Sequence, residues 1–248
     1  MRFPSISIST AALVLVGLAA TTPAHATLQL AVTIGPINFF CADNTACDNN
    51  PAVGILDIGN RSVAGIDVNG SIQTSVGTPG NPGPLDILNT GSLSIINHNT
   101  FSVTATVAIS DTDFAGPVSG FATAGSGTFQ TAAGSTLTQN WFDDPNNAQG
   151  ADTATDTPGT LVDTFSTTAQ GAADSFNHNG SGPASDPGPF SMTLQVTGTL
   201  TGGGQLLNRG QTEIKTPIPV PEPASLALLG LGLVGLAAFR RRAAVDRR

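Results

Sequence analysis

The chain alternates apolar and polar residues with a period of two over much of its length. The clearest run is 101–110 (FSVTATVAIS), where Phe101, Val103, Ala105, Val107 and Ile109 share one face and Ser102, Thr104, Thr106 and Ser110 fall on the other. A second, 190–200 (FSMTLQVTGTL), sets Phe190, Met192, Leu194, Val196 and Leu200 against Ser191, Thr193, Gln195, Thr197 and Thr199. Successive side chains of a strand point to opposite faces, so each run predicts a strand with one face on a core and one in water. Neither run fits a helical stripe. Shorter alternations predict further strands at 28–34, 53–58, 63–68, 71–76, 92–96, 128–132, 136–142 and 160–167.

Turn formers separate these runs: GTPGNPGP at 77–84, Gly116-Pro117, DDPNN at 143–147 and GSGPASDPGP at 180–189. Short strands with frequent turns and no amphipathic helix predict an all-β fold, an antiparallel β-sandwich-like body with long loops. Each alternating face buries half of its residues, so two sheets must meet to make a core. The stretch 143–186, rich in Ala, Thr, Asp and Gly, reads as a long loop or insertion with one or two strands and the poorest order.

Both ends fall outside this pattern. Residues 1–26 carry Arg2, an apolar run at 11–20 (AALVLVGLAA) and a small-x-small site at Ala24-His25-Ala26. That run is shorter than the roughly 20 residues a bilayer-spanning helix needs, so it predicts a secretory signal peptide cleaved after Ala26. The body, 27–215, then follows, and 216–248 form a separate tail. From Thr27 to Pro223 there are 16 acidic and three basic residues (Arg61, Arg209, Lys215), a net charge of −13 against −8 for the whole chain. So acidic and cation-poor a body argues against nucleic acid as a partner, because phosphate contacts and counterion release need a cationic source.

Two cysteines, Cys41 and Cys47, are separated by a polar turn (CADNTAC); in an exported chain this spacing predicts a disulfide. His98 and His178 each lie within Asn-His-Asn and read as solvated loop residues. No zinc-protease or nucleophile-elbow motif is present. Asp111-x-Asp113 and Asp143-Asp144 are the candidate calcium loops, set against the common use of Asp to open turns. Trp141, the single tryptophan, is the one candidate platform for a sugar ring and equally a candidate core residue.

The tail reads TPIPVPEPASLALLGLGLVGLAAFRRRAAVDRR. Pro217, Pro219, Pro221 and Pro223 favour an extended stalk that cannot join a helix. Residues 224–239 are uncharged and apolar, about 24 Å of helix at 1.5 Å per residue, marginal for a bilayer core of about 30 Å. Arg240, Arg241 and Arg242 follow and would hold that end in the cytoplasm. Together, Pro221-Glu222-Pro223, a glycine-containing apolar helix and an arginine cluster closely resemble the PEP-CTERM sorting signal of Gram-negative bacteria. The resemblance implies recognition by an exosortase, a membrane-embedded peptidase of bacteria that make exopolysaccharide. It also implies cutting near Pro221, Glu222 and Pro223.

The resulting expectation is a non-enzymatic, cofactor-free protein exported across the inner membrane and transiently anchored there by one transmembrane helix. It would then pass to the cell surface or the exopolysaccharide matrix. The alternative for the body is a carbohydrate-binding or calcium-assisted adhesion module.

Overall fold

The computed structural model describes residues 27–74, 85–186 and 188–215. The expected signal peptide with Ala24 and Ala26, and the expected stalk, helix and arginine cluster of the tail, lie outside the described residues. Within them the chain is all-β, with twelve strands: β1 (Gln29–Ile34), β2 (Ile37–Ala42), β3 (Ile55–Val63), β4 (Ile66–Thr74), β5 (Leu85–Asn97), β6 (Val103–Phe114), β7 (Gly120–Gln130), β8 (Thr136–Asp144), β9 (Thr160–Thr168), β10 (Ala173–Gly182), β11 (Phe190–Leu200) and β12 (Gln205–Lys215).

They form two six-stranded antiparallel sheets, ordered β2-β1-β6-β11-β8-β9 and β10-β7-β12-β5-β4-β3. We call these sheet A and sheet B. The chain crosses between sheets repeatedly, so pairings such as β1 with β6 and β5 with β12 join segments distant in sequence. The inward apolar residues of both sheets merge into one cluster, including Leu30, Val107, Trp141, Leu194 and Val196 from sheet A and Leu56, Ile72, Leu88, Ile95 and Phe129 from sheet B. Removing one such side chain from water contributes about 1.5–3 kcal/mol, so alternation along the strands is what closes the sandwich.

The outward face of sheet A shows why the polar half of the pattern is so rich in Thr and Ser. One register row crosses all six strands as Asn38, Thr33, Thr106, Thr197, Thr138 and Ser166. Hydroxyls bond across it, Thr106 to Thr197 at 3.2 Å and Thr138 to Ser166 at 3.0 Å. Such cross-strand pairs each add a few tenths of a kcal/mol, up to about 1 kcal/mol.

Several expectations are corrected. Phe101 is not on the core face of a strand. It is 62% exposed, and β6 begins two residues later. The cause is Asn97, fully buried, whose Nδ2 donates to the carbonyls of Phe101, Leu200 and Thr201 and holds residues 98–102 in a turn. The run 63–68 is not one strand but straddles the β3–β4 hairpin. Ala64 and Gly65 both take positive φ, 52° and 74°, as a two-residue hairpin whose twist matches its strands requires. The stretch 143–186 does carry two strands: β9, at the place its alternation predicts, and β10, which has no such signal. Its loop 145–159 folds onto the outside of sheet A, where Ala151 and Ala154 pack on Ala31 and Ala108. Strands β2, β10 and β12 have no counterpart in the alternation read from the sequence.

Candidate functional site

The disulfide expected from spacing is present, Cys41 to Cys47, with Cys41 in the core. Arg61 braces its loop, with Nη2 donating to the Cys47 carbonyl at 2.9 Å and the guanidinium 5.3 Å from the Phe39 ring centre. Trp141 is fully buried on β8 and its Nε1 donates to the Gln211 carbonyl of β12 at 3.1 Å. It ties the two sheets together and offers no face to a sugar. His98 does sit on an exposed turn, 3.0 Å from Asp67. His178 does not: it lies on β10, points between the sheets and stacks on Phe165 at 4.9 Å. The polar Asn-His-Asn context hid a half-buried strand.

The aspartates do not converge on a metal. Among the described residues no three His, Cys, Asp or Glu side chains form a group that could hold one. Asp113 accepts from Asn147 Nδ2 at 2.7 Å, which ties β6 to the loop after β8, and Asp144 accepts from the amides of Asn146 and Ala148 in the turn-opening role. Asp111 is buried among β-strands, and burial pushes its carboxyl up to about 7. Asp143 is pushed up to about 8, first by burial and then by the hydrogen bond it shares with Asp186. Two carboxyls that share a proton bind cations poorly until it is lost.

The arrangement best suited to hold a ligand lies elsewhere, on the outward face of sheet B. There a concavity of about 320 Å³ crosses β10, β7, β12 and β5, lined by Asn177, Asn179, Ser126, Arg209, Gln211 and Asn89 among others. Its shape follows from two glycines paired in register, Gly125 of β7 and Gly210 of β12. Their missing side chains would point inward. A Cβ on Gly125 would overlap Gln139 Oε1, and one on Gly210 would come within 2.6 Å of Leu194 Cδ2. Without them sheet B sinks toward sheet A and its outer surface dips. The bulge in β5, where Leu93 to Asn89 takes one residue more than Asn208 to Gln211 opposite it, adds local curvature.

Register then sorts the lining into rows. One runs Asn179, Ala124, Gln211, Asn89 and on to Gln73 of β4; the next runs Asn177, Ser126, Arg209. In the first row Ala124 is the small residue between amides. Beneath the floor lie three buried polar side chains, Gln139, Asn208 and Thr212, with Gln139 Nε2 donating to Asn208 Oδ1 at 3.2 Å. None of this was visible as a motif, because the six residues come from four strands distant in sequence. The one available signal was Arg209, one of only three cations in an acidic body.

Known proteins inform the tail far more than the body. Residues 219–242 match the model of the PEP-CTERM protein-sorting motif. The chain carries a PEP-CTERM sorting motif. The match spans Pro221, Glu222 and Pro223 as well as Arg240, Arg241 and Arg242, and it starts shortly after β12 ends at Lys215.

No curated protein matches the chain. Solved structures that overlay on it include TmCBM61 in complex with β-1,4-galactotriose, at 7% identity and TM-score 0.31, covering 61% of this chain and 89% of that one. The CBM22-1 xylan-binding domain of Paenibacillus barcinonensis Xyn10C overlays at 13% identity and TM-score 0.29, covering 64% and 88%. The enzymatically active domain of bacteriophage CBA120 tailspike protein 4 overlays at 12% identity and TM-score 0.33, covering 66% of this chain and 20% of its own. Overlaps this shallow assign neither a ligand nor an activity to the chain that carries the PEP-CTERM motif.

Proposed function

We propose that the protein is an exosortase substrate that delivers a non-enzymatic β-sandwich, residues 27–215, to the cell surface or the exopolysaccharide matrix. The observation that carries this reading is the sorting motif at 219–242, directly behind the last strand. An N-terminal signal takes the chain across the inner membrane with cleavage after Ala26. The apolar segment 224–239 anchors it transiently, and Arg240, Arg241 and Arg242 keep its end in the cytoplasm. The prolines around Pro221, Glu222 and Pro223 disfavour helix and favour an extended chain, the geometry in which peptidases take their substrates. An acidic, disulfide-bearing sandwich suits an oxidising compartment outside the cytoplasm.

The test is processing in an exosortase-bearing host. Replacing Pro221, Glu222 and Pro223 together by Ala should leave a longer, membrane-bound precursor. Unchanged maturation of that variant would reject the sorting reading. Mass spectrometry of the exported protein should find Thr27 at its N-terminus.

A further inference from the structure

The geometry points to the groove across β10, β7, β12 and β5 as a binding site for an acidic polysaccharide. In this assignment the amides of Asn179, Gln211 and Asn89 take sugar hydroxyls, and the Arg209 guanidinium takes a carboxylate.

Three observations converge on it. The first is shape. The dip lies on a sheet face, open to solvent, and its floor is set by the inward-facing gap at Gly125 and Gly210. The row from Asn179 to Asn89 covers three interstrand spacings, roughly 14 Å, which suits an extended chain laid across the strands better than a compact ligand. The second is chemistry. A primary amide presents both an acceptor and a pair of donors, so a row of amides can answer hydroxyls, each itself donor and acceptor. The residues lining the groove include no carboxylate and no large apolar side chain. That composition favours a polyhydroxylated ligand over an apolar peptide.

The third is charge. Arg61 is engaged with Phe39 and the Cys47 carbonyl, whereas Arg209 makes no ion pair with any carboxylate among the described residues. It is exposed and stands in register with Ser126 and Asn177, beside the amide row. A guanidinium offers a planar fork that fits a carboxylate with two parallel hydrogen bonds. The net charge of the body opposes an anionic chain at long range. That repulsion is screened beyond about 8 Å at physiological salt. The outward acid nearest along β12 is Glu213, in register with Ala122 and outside the lining.

This assignment stands independently of the sorting reading, because binding is measured in solution and sorting as maturation in cells. The experiment titrates the full chain in mild detergent with an oligogalacturonate, a neutral galacto-oligosaccharide of equal length, and poly-glutamate. Saturable binding of the oligogalacturonate is expected, with Arg209→Gln weakening it about ten- to a hundredfold and leaving the neutral sugar unaffected. Asn179→Ala should weaken both sugars alike. Both positions are exposed, so an unchanged melting temperature verifies that the variants fold. Three results would each overturn the assignment: no saturable binding of the oligogalacturonate, poly-glutamate bound equally well, or Arg209→Gln without effect on the acidic sugar.

Discussion

His178 of β10 holds its Nε2 2.8 Å from Asp163 Oδ2 of β9, and these two strands are the outermost of sheet B and sheet A at the same edge of the sandwich. The contact joins edges that share no ladder. Around it His178 stacks on Phe165 and lies 5.5 Å from Trp141, while Phe176 packs against Phe165 and Phe129. Thr123 Oγ1 also donates to Asp163 Oδ2. Burial works to raise the Asp163 carboxyl, and the hydrogen bonds from Thr123 and His178 outweigh it, leaving it below the ordinary aspartate value. Asp163→Asn should therefore cost about 1–2 kcal/mol at pH 7, a fall of a few degrees in Tm. Since the folded carboxyl is the stronger acid, its contribution is present above the unfolded value near 3.8 and is lost as pH falls below it. Thermal melts of Asp163→Asn and the parent protein should converge toward pH 3.

Asp111 and Asp143 pull in the opposite direction. Their folded carboxyls are pushed up to about 7 and about 8 by burial, with Asp186 adding to the second, against 3.8 when unfolded. The folded state then holds protons that the unfolded state has released. Stability from these groups is complete below about pH 4 and declines as pH rises to between 7 and 8. Melting temperature is expected to fall from pH 5 to pH 8 and level off above. Asp111→Asn keeps the shape of a neutral carboxyl without its titration, so it should flatten that fall. An Asp111→Asn protein as pH-sensitive as the parent would show that Asp111 is not its source.

The same contrast explains how far the sequence could be read. Alternation located β11 to the residue, because Phe190, Met192, Leu194, Val196 and Leu200 are all buried. It missed β10, whose inward positions are Asp174, Phe176, His178 and Gly180, so that only one is apolar. At a sandwich edge a His-Asp pair and a glycine can fill the place of aliphatic side chains. β12 escaped for a related reason: its inward positions include Leu206, Asn208, Gly210 and Thr212, so that polar side chains and a glycine sit where core aliphatic side chains would be expected. The disulfide was legible since six residues of separation already bring its ends together. The groove was not, because it depends on which strands become neighbours, a property of topology that local pattern does not encode.

The Cys41–Cys47 bridge closes a short loop, and the chain-entropy model gives about 2 kcal/mol for one of this length. Next to Cys47 lies Asp48, whose carboxylate accepts from the amides of Asn44 within the loop and of Asn50 and Asp57 beyond it, and so links the loop to β3. Replacing both cysteines by Ser should lower Tm by several degrees and loosen the start of β3. Hydrogen exchange at Asp57 should rise in that variant while exchange in β11 stays slow. Thiol labelling of the exported parent should find neither cysteine free.

The tight contact between the two sheets at Gly125 and Gly210 supplies a demanding test of the packing. Gly125→Ala drives a methyl group into Gln139 Oε1, and Gly210→Ala drives one against Leu194 Cδ2 and Gln139 Nε2. Gln139 is fully buried and bonded to Asn208, so it can withdraw only by giving up that hydrogen bond. Leu194 is equally enclosed by the core. Overpacking of this kind costs about 1–3 kcal/mol each, and the two should be less than additive because both act on Gln139. Gln139→Ala makes room for the new methyl on Gly125, so the Gly125→Ala penalty should shrink in that background. A double-mutant cycle by thermal melts measures the coupling, and a penalty unchanged by Gln139→Ala would mean that the sheets are held apart by something other than this contact.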